Sequence, residues 1–101
     1  MKTLHLILKR KWYEMIASGK KNEEYREISQ YYIKRLSYGI DKIEEQEWMS
    51  IKHFDNVCFH LGYSCITMKF KIDCIKIGYG NPEWGAEPEK QYFVIKLGER
   101  I

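Results

Sequence analysis

From Ile66 to Cys74 the residues Ile66, Met68, Phe70, Ile72 and Cys74 alternate with Thr67, Lys69, Lys71 and Asp73, and the apolar phase then jumps to Ile75 and Ile77. Alternation of that length describes a strand with one buried face. A one-residue phase change would send every later side chain to the wrong face unless the backbone bulges or turns a corner. The run therefore predicts a bent strand, and bent strands belong to sheets that curl into small barrels.

The neighbouring segments fit that frame. Leu4, Leu6 and Leu8 alternate over Thr3 to Leu8. Val57, Phe59 and Leu61 alternate against Asn56, Cys58 and His60 until Gly62, and Phe93, Ile95 and Leu97 line the buried face of a last strand from Gln91 to Leu97. Between Arg10 and Ser18, Trp12, Met15 and Ile16 fall at helical spacing, and Gly19 supplies a left-handed stop. Ser29 is placed as the N-cap of a second short helix with Tyr32, Ile33 and Leu36 on its apolar stripe and Gly39 at its end. Gly78 to Pro82 is a turn, and Glu83 to Lys90 reads as a loop. Residues 40–53 are acidic and irregular in pattern, and are expected to form a surface excursion with a helical turn around Asp41 to Met49. The expected fold is α+β: a small, mixed but largely antiparallel β-barrel with two or three short helices, one domain over residues 1–101.

A chain of 101 residues, 45% hydrophobic, is long enough for one core without staples. The net charge is only +3, so strong affinity for polyanions does not follow from it. Its distribution is uneven. Residues 1–35 carry nine Lys or Arg and four Glu (9 − 4 = +5), whereas the remainder carry eight basic and ten acidic residues (8 − 10 = −2). That surplus suits an anionic ligand near the first third of the chain. Cys58, Cys65 and Cys74 are odd in number, lack a C-x-x-C pair and lie in strand-like contexts, which points to buried free thiols in a reducing compartment. Without a signal-like apolar core near Met1 or a run of membrane-spanning length, the expected location is the cytoplasm.

The densest chemistry lies in Gly19-Lys20-Lys21-Asn22-Glu23-Glu24-Tyr25-Arg26. As a strand, it sends Asn22, Glu24 and Arg26 to one face and Glu23, Tyr25 and Glu27 to the other. Lys21 and Glu24 then form either an ion pair that orients a ligand or an acid and base couple. A catalytic lysine must shed its proton, which Lys20 and Arg26 would favour and Glu24 opposes, so the pairing favours binding. Arg26 offers a planar fork for phosphate or carboxylate, or a salt bridge to Glu24. Lys9 and Lys11 flank the first strand's end, there either to meet a nucleic-acid backbone or simply to be solvated, with Tyr25, Tyr32 and Tyr63 placed to stack on bases and Trp12 to pack in the core. Trp84, beside Glu83, is either a cleft lip or an anchor for its loop.

Leu4-x-Leu6, Trp12-x-x-x-Ile16-x-x-Gly19-x-Lys21-x-x-Glu24-x-Arg26, Pro82-Glu83-Trp84-Gly85 and Tyr92-Phe93-Val94-Ile95-x-Leu97-Gly98 together resemble the ASCH domain family of the PUA-like superfamily, over nearly the whole chain. The resemblance implies a small barrel with a cleft beside the first helix that recognises RNA, modified nucleobases or nucleotides. Some small bacterial relatives look like amidohydrolases that deacylate a modified cytidine with a Lys, a Thr and a Glu. Lys21 falls on that lysine, whereas Glu24 falls where the threonine stands, so the hydroxyl is absent; Glu83 and Glu87 are candidates for the acidic position.

The leading expectation is a binding module for RNA or a modified nucleotide, with Lys21, Glu24 and Arg26 at the site, Lys9, Lys20, Tyr25, Tyr32, Tyr63, Glu83 and Trp84 around it, and removal of Lys21 or Arg26 sparing stability. The alternative is a small hydrolase acting on an acylated nucleoside, or a ribonuclease, with Lys21 and Glu24 catalytic. A third reading has the acidic run from Asp41 to Glu47 binding a basic protein. No cofactor, metal or membrane partner is expected. Cys58-x-His60 shares a strand face, but His53 or Cys65 would have to complete a zinc set, and no second paired set exists.

Overall fold

A computed structural model describes the backbone of residues 1–43 and 46–101, with side chains described outside 41–48. The chain runs β1 (Thr3–Leu8), α1 (Arg10–Ala17), β2 (Glu23–Glu27), α2 (Gln30–Leu36), β3 (Ser37–Ile43), β4 (Gln46–Ile51), β5 (Asn56–Leu61), β6 (Thr67–Tyr79) and β7 (Gln91–Arg100). Five strands form one sheet in the order β1-β5-β6-β7-β2, curled into a half-barrel. β1 and β5 are parallel, and the other pairs are antiparallel. The phase jump in β6 appears as register shifts against β7 between Phe70 and Ile72 and between Ile72 and Cys74. Those irregularities fall in the sheet's longest strand just before the Cys74–Ile75 step at which the alternation placed the phase change.

Leu4, Leu6, Leu8, Val57, Phe59, Phe93 and Ile95 meet Ile16 and Leu36 of the helices in the core. Each such residue contributes about 1.5–3 kcal/mol through burial alone. Tyr13, with Ile16, forms the fully buried part of the α1 stripe, while Trp12 and Met15 are half-buried. β7 buries both faces. Tyr92 and Val94, on its other face, pack with Ala86 and Tyr25 where the 80–90 segment folds over the sheet. A strand covered on both sides reads as a continuous apolar run rather than an alternating one.

Several expectations need correction. β3 and β4 form an antiparallel hairpin apart from the main sheet, so no helical turn forms on the described part of Asp41 to Met49. The acidic run extends over residues 44 and 45 and side chains that lie outside those described. α2 ends at Leu36, capped by Ser37, and Gly39 lies inside β3 instead of closing the helix. Ser29 does cap α2, accepting the Tyr32 N–H at 3.4 Å. Of the three thiols only Cys58 is buried; Cys65 and Cys74 are exposed. Cys65 precedes the start of β6, and Cys74 follows the bulge, where the outer face has taken over.

Candidate functional site

The sheet has two edges, β1 and β2, and the site lies where the curl brings them together. Arg26 spans that seam. From β2 its guanidinium donates to the Ile7 carbonyl of β1 at 2.9 Å, to the Glu24 carboxylate at 2.8 Å and to the Tyr32 hydroxyl of α2 at 3.0 Å. One fork thus ties three elements, a use for which a planar, five-donor group is suited. Its Nε is buried and has no acceptor among the described residues.

Lys21 reaches the same carboxylate from the other side. Its Nζ lies 2.8 Å from Glu24 Oε1, and the two residues are only 2% and 5% exposed. The path begins at Gly19, whose φ of +84° turns the chain back after α1 while Ser18, Gly19 and Lys21 donate to the carbonyls of Glu14, Ile16 and Met15. The left-handed conformation costs glycine little. The turn places Lys21 Nζ 4.5 Å from the Trp12 ring centroid and 5.6 Å from that of Tyr25. One carboxylate therefore faces two cations, and the cluster carries a net single positive charge in a poorly solvated place.

Above the cluster opens a cleft of about 340 Å³. Trp12, Tyr25, Tyr32, Trp84 and Tyr92 supply aromatic walls, with Lys9 and Glu27 also lining it. Asn81, Pro82 and Glu83 begin the loop that carries Trp84; the Asn81 side chain accepts the Glu83 N–H at 2.9 Å. Gly85 follows with φ +100°, and a Cβ there would lie 2.9 Å from the Trp12 ring. Only glycine satisfies both the backbone angle and that approach.

Tyr25 has a second duty. Its hydroxyl donates to Glu23 at 2.8 Å and accepts the Asn81 N–H at 2.9 Å, which pins the 80–90 loop to β2. Burial above all pushes its pKa from 10.0 up to about 12; the Glu23 carboxylate adds to the rise and the Asn81 N–H opposes it.

The geometry unites Lys21, Glu24 and Arg26 with Lys9, Tyr25, Tyr32 and Trp84. It separates the rest. Lys20 is exposed and lines a different surface hollow with Arg10 and Glu14, because the Gly19 turn directs Lys21 inward. Glu83 is exposed and outside the cleft lining, as is Glu87. Tyr63, 98% exposed, belongs to a second cleft of about 470 Å³ on the other side of Arg26. Trp12 packs against the core as expected and, half-buried, also sets its ring 4.5 Å from the Lys21 ammonium at the cleft wall. Glu23 is half-buried and accepts a hydrogen bond from the Tyr25 hydroxyl. The Ile7 carbonyl, Glu27, Gly85 and Tyr92 were missed. A backbone acceptor leaves no side-chain signal, and Glu27 was assigned only to the opposite strand face.

Comparisons of the chain with family models, with curated proteins and with solved structures give no match. Among the described residues no helix is long and apolar enough to cross a membrane. The functional reading therefore rests on the seam itself.

Proposed function

We propose that the chain is a PUA-like binding module of the ASCH type that takes RNA or a modified nucleotide, one base entering the seam cleft. The observation that supports it is a buried carboxylate held between an ammonium and a guanidinium at the floor of an aromatic-walled cleft. A flat heterocycle gains from stacking on Trp84 or Tyr32 and from hydrogen bonds at its edge. Arg26 Nε and the unshared donors of Lys21 Nζ offer such bonds to a base carbonyl, and Glu24 accepts from a base amino group. Lys9 at the rim meets the phosphate. About 340 Å³ holds one nucleoside, not a longer segment.

Binding fits better than hydrolysis. Glu24 lies 2.8 Å from Lys21 Nζ and replaces the hydroxyl that acyl transfer would use, while the Tyr25 and Tyr32 hydroxyls are engaged in holding the loop and Arg26. Calorimetric titration with cytidine, N4-acetylcytidine, their monophosphates and a short single-stranded RNA tests the reading. We expect binding of at least one nucleotide, weakened by roughly tenfold or more in Trp84→Ala, one stacked base contributing about 1–3 kcal/mol. Absence of binding across that panel would remove the proposal. Release of acetate from N4-acetylcytidine, abolished in Lys21→Met, would replace it with the hydrolase.

A further inference from the structure

On the outer side of the β1–β5 pair a second cluster forms that the seam does not use. His5 and Cys58 are register partners across the parallel strands, and His60 stands two residues beyond Cys58 on the same face. His5 Nδ1 and His60 Nε2 lie 3.0 Å apart, and one ring nitrogen of each histidine lies with Cys58 Sγ in a group whose members are all within 4.8 Å of one another. Tetrahedral zinc with Zn–N near 2.0–2.1 Å and Zn–S near 2.3 Å requires about 3.3 Å between two nitrogens and about 3.6 Å between nitrogen and sulfur. The nitrogens are within a few tenths of an ångström of that spacing, and the sulfur, no more than 4.8 Å from a nitrogen of each ring, has to approach by about an ångström at most.

Two imidazoles facing each other are explained by a shared proton, with one ring donating to the other. A thiol converging on the same point is not required by that bond. Three soft and borderline donors converging from two rigid strands match the preference of zinc. We propose that His5, Cys58 and His60 bind one Zn²⁺ ion, through His5 Nδ1, His60 Nε2 and the Cys58 thiolate. On binding, the Cys58 proton passes to solvent, and each ring ligates through a neutral lone pair. Three protein ligands leave a fourth position open, facing the cleft of about 470 Å³ that His5 and His60 line. Arg35 lines that cleft as well, with its guanidinium fixed to the Tyr31 hydroxyl at 3.1 Å and to the His5 carbonyl. With a zinc–thiolate unit of net charge +1 beside a guanidinium, the fourth ligand is anionic: hydroxide or a carboxylate.

His53 and Cys65 do not complete this set. His53 pairs with Asp55 at 3.2 Å, and Cys65 is exposed and absent from the cluster. The test is a titration of the full chain with Co²⁺ in a non-thiol reductant, followed by displacement with Zn²⁺. The expected result is one equivalent bound with a thiolate-to-cobalt charge-transfer band, lost in Cys58→Ser and retained in Cys65→Ser. His5→Ala, at an exposed site that leaves the fold intact, should weaken Zn²⁺ binding by at least the roughly 10–100-fold that even outer-shell changes cost. No band at one equivalent, a band that survives Cys58→Ser, or unchanged Zn²⁺ affinity in His5→Ala would overturn the assignment.

Discussion

Two polar clusters flank the same edge of the sheet, and they differ in how their valences are used. At the seam, Lys21, Glu24 and Arg26 satisfy one another: each charge has an opposite partner at 2.8 Å. On the outer face, His5 and His60 share one neutral hydrogen bond at 3.0 Å and, with Cys58, gather donor atoms within 4.8 Å of one another without an ion pair. The first arrangement welds two strand edges together and offers only its leftover donors to a ligand. The second joins β1 to β5 by one neutral hydrogen bond and gives the Cys58 thiol no partner in that bond, so its lone pairs are open to an ion. Charge pairing is thus a structural device in one cluster, and lone-pair convergence is a recognition device in the other.

The comparison breaks most easily at Glu24. Glu24→Gln leaves the Lys21 ammonium buried without its counterion, so unfolding by urea should show a loss of about 3–5 kcal/mol. His60→Ala should lose less than about 1 kcal/mol, since no structural ion pair goes with it. Similar losses in both would erase the distinction. The earlier expectation that removing Lys21 or Arg26 spares stability is corrected on the same ground, because Arg26 ties β2 to the Ile7 carbonyl.

A sharper contrast comes from one glycine in each cleft. Gly85 and Gly62 both have positive φ, +100° and +53°, but only at Gly85 would a Cβ meet the Trp12 ring. Gly62→Ala should cost only the backbone strain, about 1–2 kcal/mol, and Gly85→Ala that amount plus the displacement of Trp12. Thermal unfolding should rank them in that order and nucleotide affinity should fall only for Gly85→Ala.

Tyr25 gives the seam a pH signature of its own. Because its folded pKa of about 12 lies above the ordinary 10.0, the folded chain holds the phenol proton more tightly than the unfolded chain. Its contribution is intact below about pH 10 and is lost as pH rises through about 12. Denaturation curves from pH 9 upward should therefore show a decline that Tyr25→Phe reduces; an unchanged decline would mean that the loop is not pinned through this hydroxyl.

The smallest effect concerns the rim. Lys9→Ala should weaken RNA binding modestly and lower its salt slope by roughly one, whereas Lys20→Ala should leave both unchanged, since Lys20 faces another surface.

What the sequence disclosed follows from distance along the chain. The bend in β6, the Ser29 cap, the Gly19 stop and the shared face of Glu24 and Arg26 all arise within a few residues, so periodicity and turn chemistry reveal them. The β3–β4 hairpin did not register because its charged residues hide any alternation. The partner of Cys58 and His60 lies 53 or more positions away on a parallel strand, and only the register between β1 and β5 brings it in. His5 by itself carries no signal. Helical spacing places Trp12 against the core but cannot show that the same ring also walls a cleft.

The central claim is that the leftover donors of the seam cluster receive the ligand. The most direct measurement is nitrogen-detected NMR of the Lys21 ammonium and the Arg26 Nε–H during titration with the nucleotide that binds best. The account predicts that both resonances shift together and saturate at one equivalent while the Lys20 signal stays still. Saturating shifts confined to Tyr63 and the outer cleft, with Lys21 and Arg26 unmoved, would contradict it.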